Sequence, residues 1–77
     1  MTFKRKFMKI NTCTIGVDGK PVDIKTELIM LSEIGKIIES QKGISRIFNM
    51  KGDFVCNTTL TIEQILEEAK NPIELII

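Results

Sequence analysis

Apolar and polar residues alternate along the first third of this chain, then regroup with a longer period. Residues 7–15, Phe-Met-Lys-Ile-Asn-Thr-Cys-Thr-Ile, hold β-branched and aromatic side chains and neither Gly nor Pro, which predicts a strand. Asp18-Gly19 follows as a two-residue hairpin signal, because a type I′ turn needs positive φ at both central positions. Closing the chain there pairs Val17 with Lys20, Ile15 with Val22, Cys13 with Ile24 and Asn11 with Thr26. Cys13, Ile15, Val22 and Ile24 then share an apolar face, and Thr12, Thr14, Asp23 and Lys25 a polar one, as a half-buried antiparallel pair requires.

From Leu28 to Lys42 the spacing predicts a helix. Leu28, Met30, Leu31, Ile34, Ile37 and Ile38 fall in half of a wheel drawn at ~100° per residue, with Glu33, Lys36, Glu39 and Ser40 opposite. Thr26 is placed to cap it, Glu27 sits in its first turn, and Gly43 stands where a left-handed C-cap belongs. Gly35 in the middle costs up to ~1 kcal/mol relative to Ala, unless the sheet approaches closely there.

Residues 44–50 and 54–59 predict a second hairpin about Lys51-Gly52. A two-residue loop pairs Phe48 with Val55, whereas a bulged loop pairs Phe48 with Phe54. Thr61-Ile62-Glu63-Gln64 is a capping box, with Leu60 and Ile65 at the staple positions. The helix it starts runs from Ile62 to Lys70, turns Ile62, Ile65, Leu66 and Ala69 inward, and stops at Asn71-Pro72. The end of the sequence, Ile73-Glu74-Leu75-Ile76-Ile77, is aliphatic and β-prone, so burial is expected for it. Two placements achieve that: a further strand in the chain's own sheet, or packing against a second chain. Ile73, Leu75, Ile76 and Ile77 are therefore candidate interface residues.

The elements run ββα-ββα-β, an α+β fold with an antiparallel sheet of four to five strands and two helices packed on one face. Residues 1–77 make one small domain, with residues 1–6 as a flexible basic arm. Gly19-Lys-Pro-Val22 and Gly52-Asp-Phe-Val55 recur 33 residues apart, as do Thr26 with Thr59 and Ile29 with Ile62, the pattern of a duplication.

The chemistry on offer is sparse. The chain has no His, Trp or Tyr, so imidazole bases, His-ligated metals and phenolic acids are excluded. Cys13 and Cys56 are too far apart for a CxxC motif and too few for structural zinc, and read as small apolar side chains in a reducing compartment. The five glycines are scattered, which excludes a phosphate loop. No enzymatic activity and no cofactor are expected. The basic start is followed by no apolar stretch of signal-peptide length, and the expected location is the cytoplasm.

Net charge is +1, but it is unevenly spread: Lys4, Arg5, Lys6 and Lys9 precede the first acid, while Glu63, Glu67, Glu68 and Glu74 crowd the other end. Lys4, Arg5, Lys6 and Lys9, interleaved with Phe3 and Phe7 and extended by Lys20 and Lys25, are the candidate nucleic-acid contacts. The eleven residues Asp18–Leu28 resemble the turn-strand-helix start of swapped-hairpin transcription regulators and antitoxins, without the arginines those proteins place near the turn.

Small size and an apolar excess favour association. The leading expectation is a non-enzymatic regulator or inhibitor of phage or mobile-element type, acting on a protein target as a homodimer and independent of membranes. The alternative is a DNA-binding repressor or antitoxin using the basic arm and first hairpin. A third reading is an oligomer enclosing a small ligand between subunits.

Overall fold

A single strand, β1 (Lys4–Ile15), organises the molecule in the computed structural model, which describes residues 3–40 and 43–76. Met8 and Ile10 on one side of β1 are buried, while Lys9 and Asn11 on the other are exposed. Residues 4–6, expected as an arm, lie within this strand.

β2 (Pro21–Met30) runs antiparallel to β1, and Asn11 faces Thr26 as the sequence predicts. Nearer the turn the register slips by one, pairing Thr14 with Val22 and Ile15 with Pro21. The cause is the turn itself. Gly16 N–H donates to the Lys20 carbonyl at 2.8 Å and Gly19 N–H to the Gly16 carbonyl at 3.0 Å, closing a three-residue loop in place of a two-residue one. Gly19 takes φ 80°, and the extra residue is absorbed at Asp23, whose φ is 51°. The slip moves Val22 to the other face, and the face that Cys13, Ile15 and Ile24 still share lies opposite the core: Cys13 is buried, but Ile15, Val22 and Ile24 are 38%, 42% and 55% exposed.

The helix expected over 28–42 does not form among the described residues, which here run to Ser40, with 41 and 42 outside them. β2 continues to Met30, a 3-10 turn covers Leu31–Glu33, and β3 (Lys36–Glu39) follows. Ile29, Ile34, Ile37 and Ile38 are β-branched, and Ile29 reaches the core only by staying in register opposite Met8. Tertiary pairing overrides the helical spacing. Gly35 does mark a close approach: a Cβ there would sit 2.4 Å from the Asn49 carbonyl oxygen, and its N–H donates to the Phe48 carbonyl at 2.8 Å.

β3 pairs with β4 (Ser45–Phe48), which pairs with β5 (Phe54–Thr58). The β4–β5 hairpin is the bulged alternative, with Phe48 opposite Phe54. Its turn repeats the first: Asn49 N–H donates to the Asp53 carbonyl and Gly52 N–H to the Asn49 carbonyl, with Gly52 at φ 90°. The 33-residue correspondence is real at these turns and stops there, since Thr26 continues a strand and Thr59 precedes a helix.

β1 pairs with β5 at Thr12–Thr58 and Cys13–Asn57, and with β6 (Ile73–Ile76) from Phe7–Ile73 to Lys4–Ile76. β5 and β6 thus lie in line along one edge of β1, and the helix is an excursion between them. The order among the described residues is β2-β1-β5-β4-β3, with β6 beside β1. The predicted tail strand exists within the chain's own sheet, yet Ile73, Leu75 and Ile76 remain exposed; Ile77 lies outside the described residues.

α1 (Ile62–Lys70) starts where the capping box places it. Thr61 Oγ1 accepts from the Gln64 N–H at 3.1 Å, Gln64 Oε1 accepts from the Thr61 N–H at 2.8 Å, and Glu39 Oε1 accepts from the Ile62 N–H at 2.7 Å. Its Ile65 joins Met8, Ile10, Ile29 and Ile47 in the core, with Leu60 and Ala69 alongside. Leu66, expected inward, is 53% exposed. The fold is therefore a six-stranded antiparallel sheet with one helix among the described residues, in place of four to five strands and two helices.

Gly35→Ala should lose about 2 kcal/mol or more in urea unfolding, because the added methyl meets backbone that cannot move aside. Gly52→Ala, with nothing within 4 Å of its Cβ position, should lose only about 1 kcal/mol for its φ. Equal losses would refute the close approach at Gly35.

Candidate binding face of the sheet

Alternation and register decide which side chains share a face. The side of β1 bearing Met8, Ile10 and Thr12 meets α1; the other side carries Arg5, Phe7, Lys9 and Asn11 and meets no helix. Through the pairings, Leu28 and Met30 of β2, Ile73 and Leu75 of β6, Ile38 and Lys36 of β3, and Arg46 and Phe48 of β4 fall on this open side. Phe54 joins them, since the Arg46 guanidinium lies 5.4 Å from the Phe48 ring and 5.7 Å from that of Phe54.

Cations stack on the aromatic rings. Lys36 Nζ sits 4.9 Å from the Phe48 ring centre, the Arg5 guanidinium 5.9 Å from that of Phe3, and the Phe48 and Phe54 rings meet edge to face at 6.0 Å. All four phenylalanines of the sequence thus belong to the open side. Three of the four strand carboxylates take the opposite side, since Glu27 pairs with Ile10, Glu39 with Ser45 and Glu74 with Lys6, and the fourth, Asp23, sits at the bulge without a ladder partner. The result is a cationic, apolar sheet face backed by one where Lys4, Lys6 and Lys25 stand among these carboxylates and which also bears the helix with Glu63, Glu67 and Glu68.

Near its β4–β5 end this face holds a cleft of ≈ 380 Å³, with Ile15, Ile44 and Phe54 as apolar walls and Arg46 and Asn57 as polar groups. Arg46 faces Asn57 across the ladder, so a guanidinium and a carboxamide stand side by side in an apolar surround. Such a cleft suits an apolar side chain beside a carboxylate.

The residues singled out from the sequence are only partly brought together. Arg5 and Lys9 belong to the open side. Lys4 and Lys6 point to the other, where Lys4 Nζ lies 3.7 Å from Glu74, and Lys25 pairs with Thr12 on that same side. Lys20 borders the first turn at the far end of β1. The six expected nucleic-acid contacts therefore form no single patch. Nor does residue 28 begin a helix, so the likeness to swapped-hairpin regulators ends with the strand. Ile73 and Leu75 do lie on the open side, whereas Ile76 pairs with Lys4 on the other. Lys36, Arg46, Phe48 and Phe54 were missed; reading Lys36–Glu39 as a strand would have exposed their alternation.

Both cysteines are free. Burial raises the Cys13 thiol pKa, and burial, reinforced by the Glu27 charge, raises that of Cys56 to about 11. Among the described residues no group of three or more His, Cys, Asp or Glu is arranged to hold a metal ion, and no helix is long and apolar enough to cross a membrane. Comparison with known proteins finds no matching family model, curated protein or solved structure.

Iodoacetamide should label Cys56 slowly at neutral pH, with a rate rising toward an apparent pKa near about 11. The unfolded thiol loses its proton near 9.0 while the folded one still holds it, so stability should fall as pH rises from 9.0 to about 11. Labelling that already saturates by pH ~9 would mean the thiol is open to water.

Proposed function

We propose that this chain is a non-enzymatic binding domain, a small regulator or inhibitor that works by holding a protein partner against the open face of its sheet. One observation carries the reading: the charges that the strand pairings place on the open side are all cations, whereas the helix side mixes Lys4, Lys6 and Lys25 with Glu27, Glu39 and Glu74. Arg5, Lys9, Lys36 and Arg46 share a face with Phe7, Leu28, Phe48, Phe54, Ile73 and Leu75, and no strand carboxylate is among them. Apolar surface of this extent on a sheet is a contact surface or a liability. Its complement is a segment with aliphatic or aromatic side chains and carboxylates beside them, anchored in the cleft at Arg46 and Asn57. Aromatic residues and Arg are also enriched at the cores of protein interfaces, and Arg is among the types that most often dominate binding energy there.

The stacked cations and rings favour one other class of occupant. Single-stranded nucleic acid takes up aromatic platforms with guanidinium neighbours. The aliphatic share of the face, with Ile38, Leu28, Ile73 and Leu75 exposed, weighs toward protein, because such side chains offer bases neither stacking nor hydrogen bonds.

Fluorescence anisotropy separates the two. A labelled amphipathic peptide with leucine and glutamate on one face should bind, and Arg46→Glu or Phe54→Ser should weaken it by about tenfold or more. Glu67→Lys, on the helix side, should leave binding unchanged. A labelled oligothymidylate binding more tightly than the peptide, with affinity falling steeply with salt, would transfer the face to nucleic acid. Unaltered peptide binding by both open-face variants would overturn the assignment.

A further inference from the structure

The outer edge of β2 is the longest unpaired strand edge among the described residues, ten residues from Pro21 to Met30. Val22 to Leu28 are exposed, because α1 and the 3-10 turn cover only the Ile29 end. The bulge lies at Asp23 and Ile24 and Pro21 stands at the strand's start, so the stretch from Lys25 to Leu28 keeps a regular ladder, with the oppositely charged Lys25 and Glu27 on its helix side. We propose that this edge pairs antiparallel with the same edge of a second copy of the chain, centred on Thr26, to give a homodimer with one continuous sheet.

The register follows from symmetry. A two-fold axis through an antiparallel pair stands perpendicular to the sheet, so residues that meet across it must share a face. Three such registers use the middle of β2. Centring on Lys25 sets it against itself and Asp23 against Glu27 of the second copy; centring on Glu27 sets that carboxylate against itself. Both put like charges opposite one another. Centring on Thr26 sets Ile24 against Leu28 and Lys25 against Glu27, each contact made twice. Ile24 and Leu28, 55% and 46% exposed in the single chain, then cover each other on the open side. Lys25 and Glu27, which form no ion pair among the described residues, pair on the helix side.

The other free edges offer no such match. β6 has four residues, and its symmetric registers set Glu74 against itself or against Ile76. β3 also has four, and its registers set Lys36 against Ile38 or Glu39 against Ile37. Neither brings opposite charges together. Length and charge complementarity single out β2.

The inference deepens the binding-domain reading, because a perpendicular axis places both open faces on the same side of the joined sheet. The full chain should elute as a species of twice its 8.7 kDa mass in light scattering at micromolar concentration. Lys25→Glu and Glu27→Lys each convert two attractive contacts into two repulsive ones, and each should raise the dimer dissociation constant about tenfold or more. The double variant Lys25→Glu/Glu27→Lys restores opposite charges and should restore the dimer. Circular dichroism should be unchanged throughout, as both side chains are exposed. A wild-type monomer at high micromolar concentration, single variants that dimerise as well as wild type, or a double variant as weak as the singles would each overturn the pairing. Titrating the single variants with the leucine–glutamate peptide keeps the two proposals apart, since the open face of a monomer should still bind it.

Discussion

The structure depends on β1 carrying ladders on both of its edges. β2 follows almost its whole length on one side, while β5 and β6 divide the other between them. At twelve residues β1 has room for that division, with Lys4–Phe7 given to β6 and Thr12 and Cys13 to β5. The division in turn fixes where the helix goes. A chain that leaves the ladder at Thr58 and rejoins it at Ile73 must pass over one face of the sheet, and α1 makes that passage with Ile65 on the core. Ser45 and Thr58, both buried, secure the departure: Ser45 Oγ donates to the Leu60 carbonyl at 2.7 Å and Thr58 Oγ1 accepts from the Leu60 N–H at 3.2 Å. Nine helical residues cover one face of a six-stranded sheet only in part, and they leave the other bare. The functional question arises from that imbalance.

How far the sequence discloses this varies with the range of the interaction. The capping box is local, complete within four residues, and Ile62–Lys70 emerges as read. Both hairpins are found, but their loops are a residue longer than the Asp18-Gly19 rule implies, because Gly19 and Gly52 each sit third in a loop and take the left-handed conformation. That one residue moves Val22 to the other face, while Ile15 and Ile24 keep theirs and are exposed because the helix packs on the side of Met8 and Ile10. The segment from Leu28 to Lys42 is misread for a different reason. Its isoleucines satisfy a helical period, and what decides against the helix lies elsewhere in the chain: Met8 opposite Ile29, and the Asn49 backbone beneath Gly35. A single sequence carries the period and not the partner. The open face was hidden by the same error, since Lys36 meets Phe48, and Ile38 meets Arg46, only once the helix is abandoned.

The gathering of Arg5, Lys9, Lys36 and Arg46 on the open face is the link from the fold to the proposed function. Arg46 alternates with Ser45 and Ile47, so any strand pairing that buries Ile47 sends the guanidinium to the open side. The same holds for Lys9 between Met8 and Ile10. Burial of five apolar residues thus dictates the sign of the opposite surface, with no separate requirement for binding residues to cluster. Near-neutral overall charge conceals this, because the acids of α1 balance the sum from the other layer. Net charge describes the chain, and alternation describes the surface a partner meets.

Edge pairing and face binding are compatible where face-to-face dimerisation is not. Two sheets stacked on their bare sides would bury Phe54, Arg46 and Leu75 and leave nothing for a third molecule. Joining edges consumes Ile24 and Leu28 only, and it removes the strand edge most exposed to uncontrolled β-pairing. It also sets two cationic clefts on one surface in a fixed orientation. A partner that is itself two-fold, or that repeats its acidic segment, then engages both, and the second contact forms at an effective concentration set by that geometry. In a small domain with a limited core, a continuous sheet is what would hold such a spacing, and the exposed stretch of β2 from Val22 to Leu28 is the part of the sheet free to extend it.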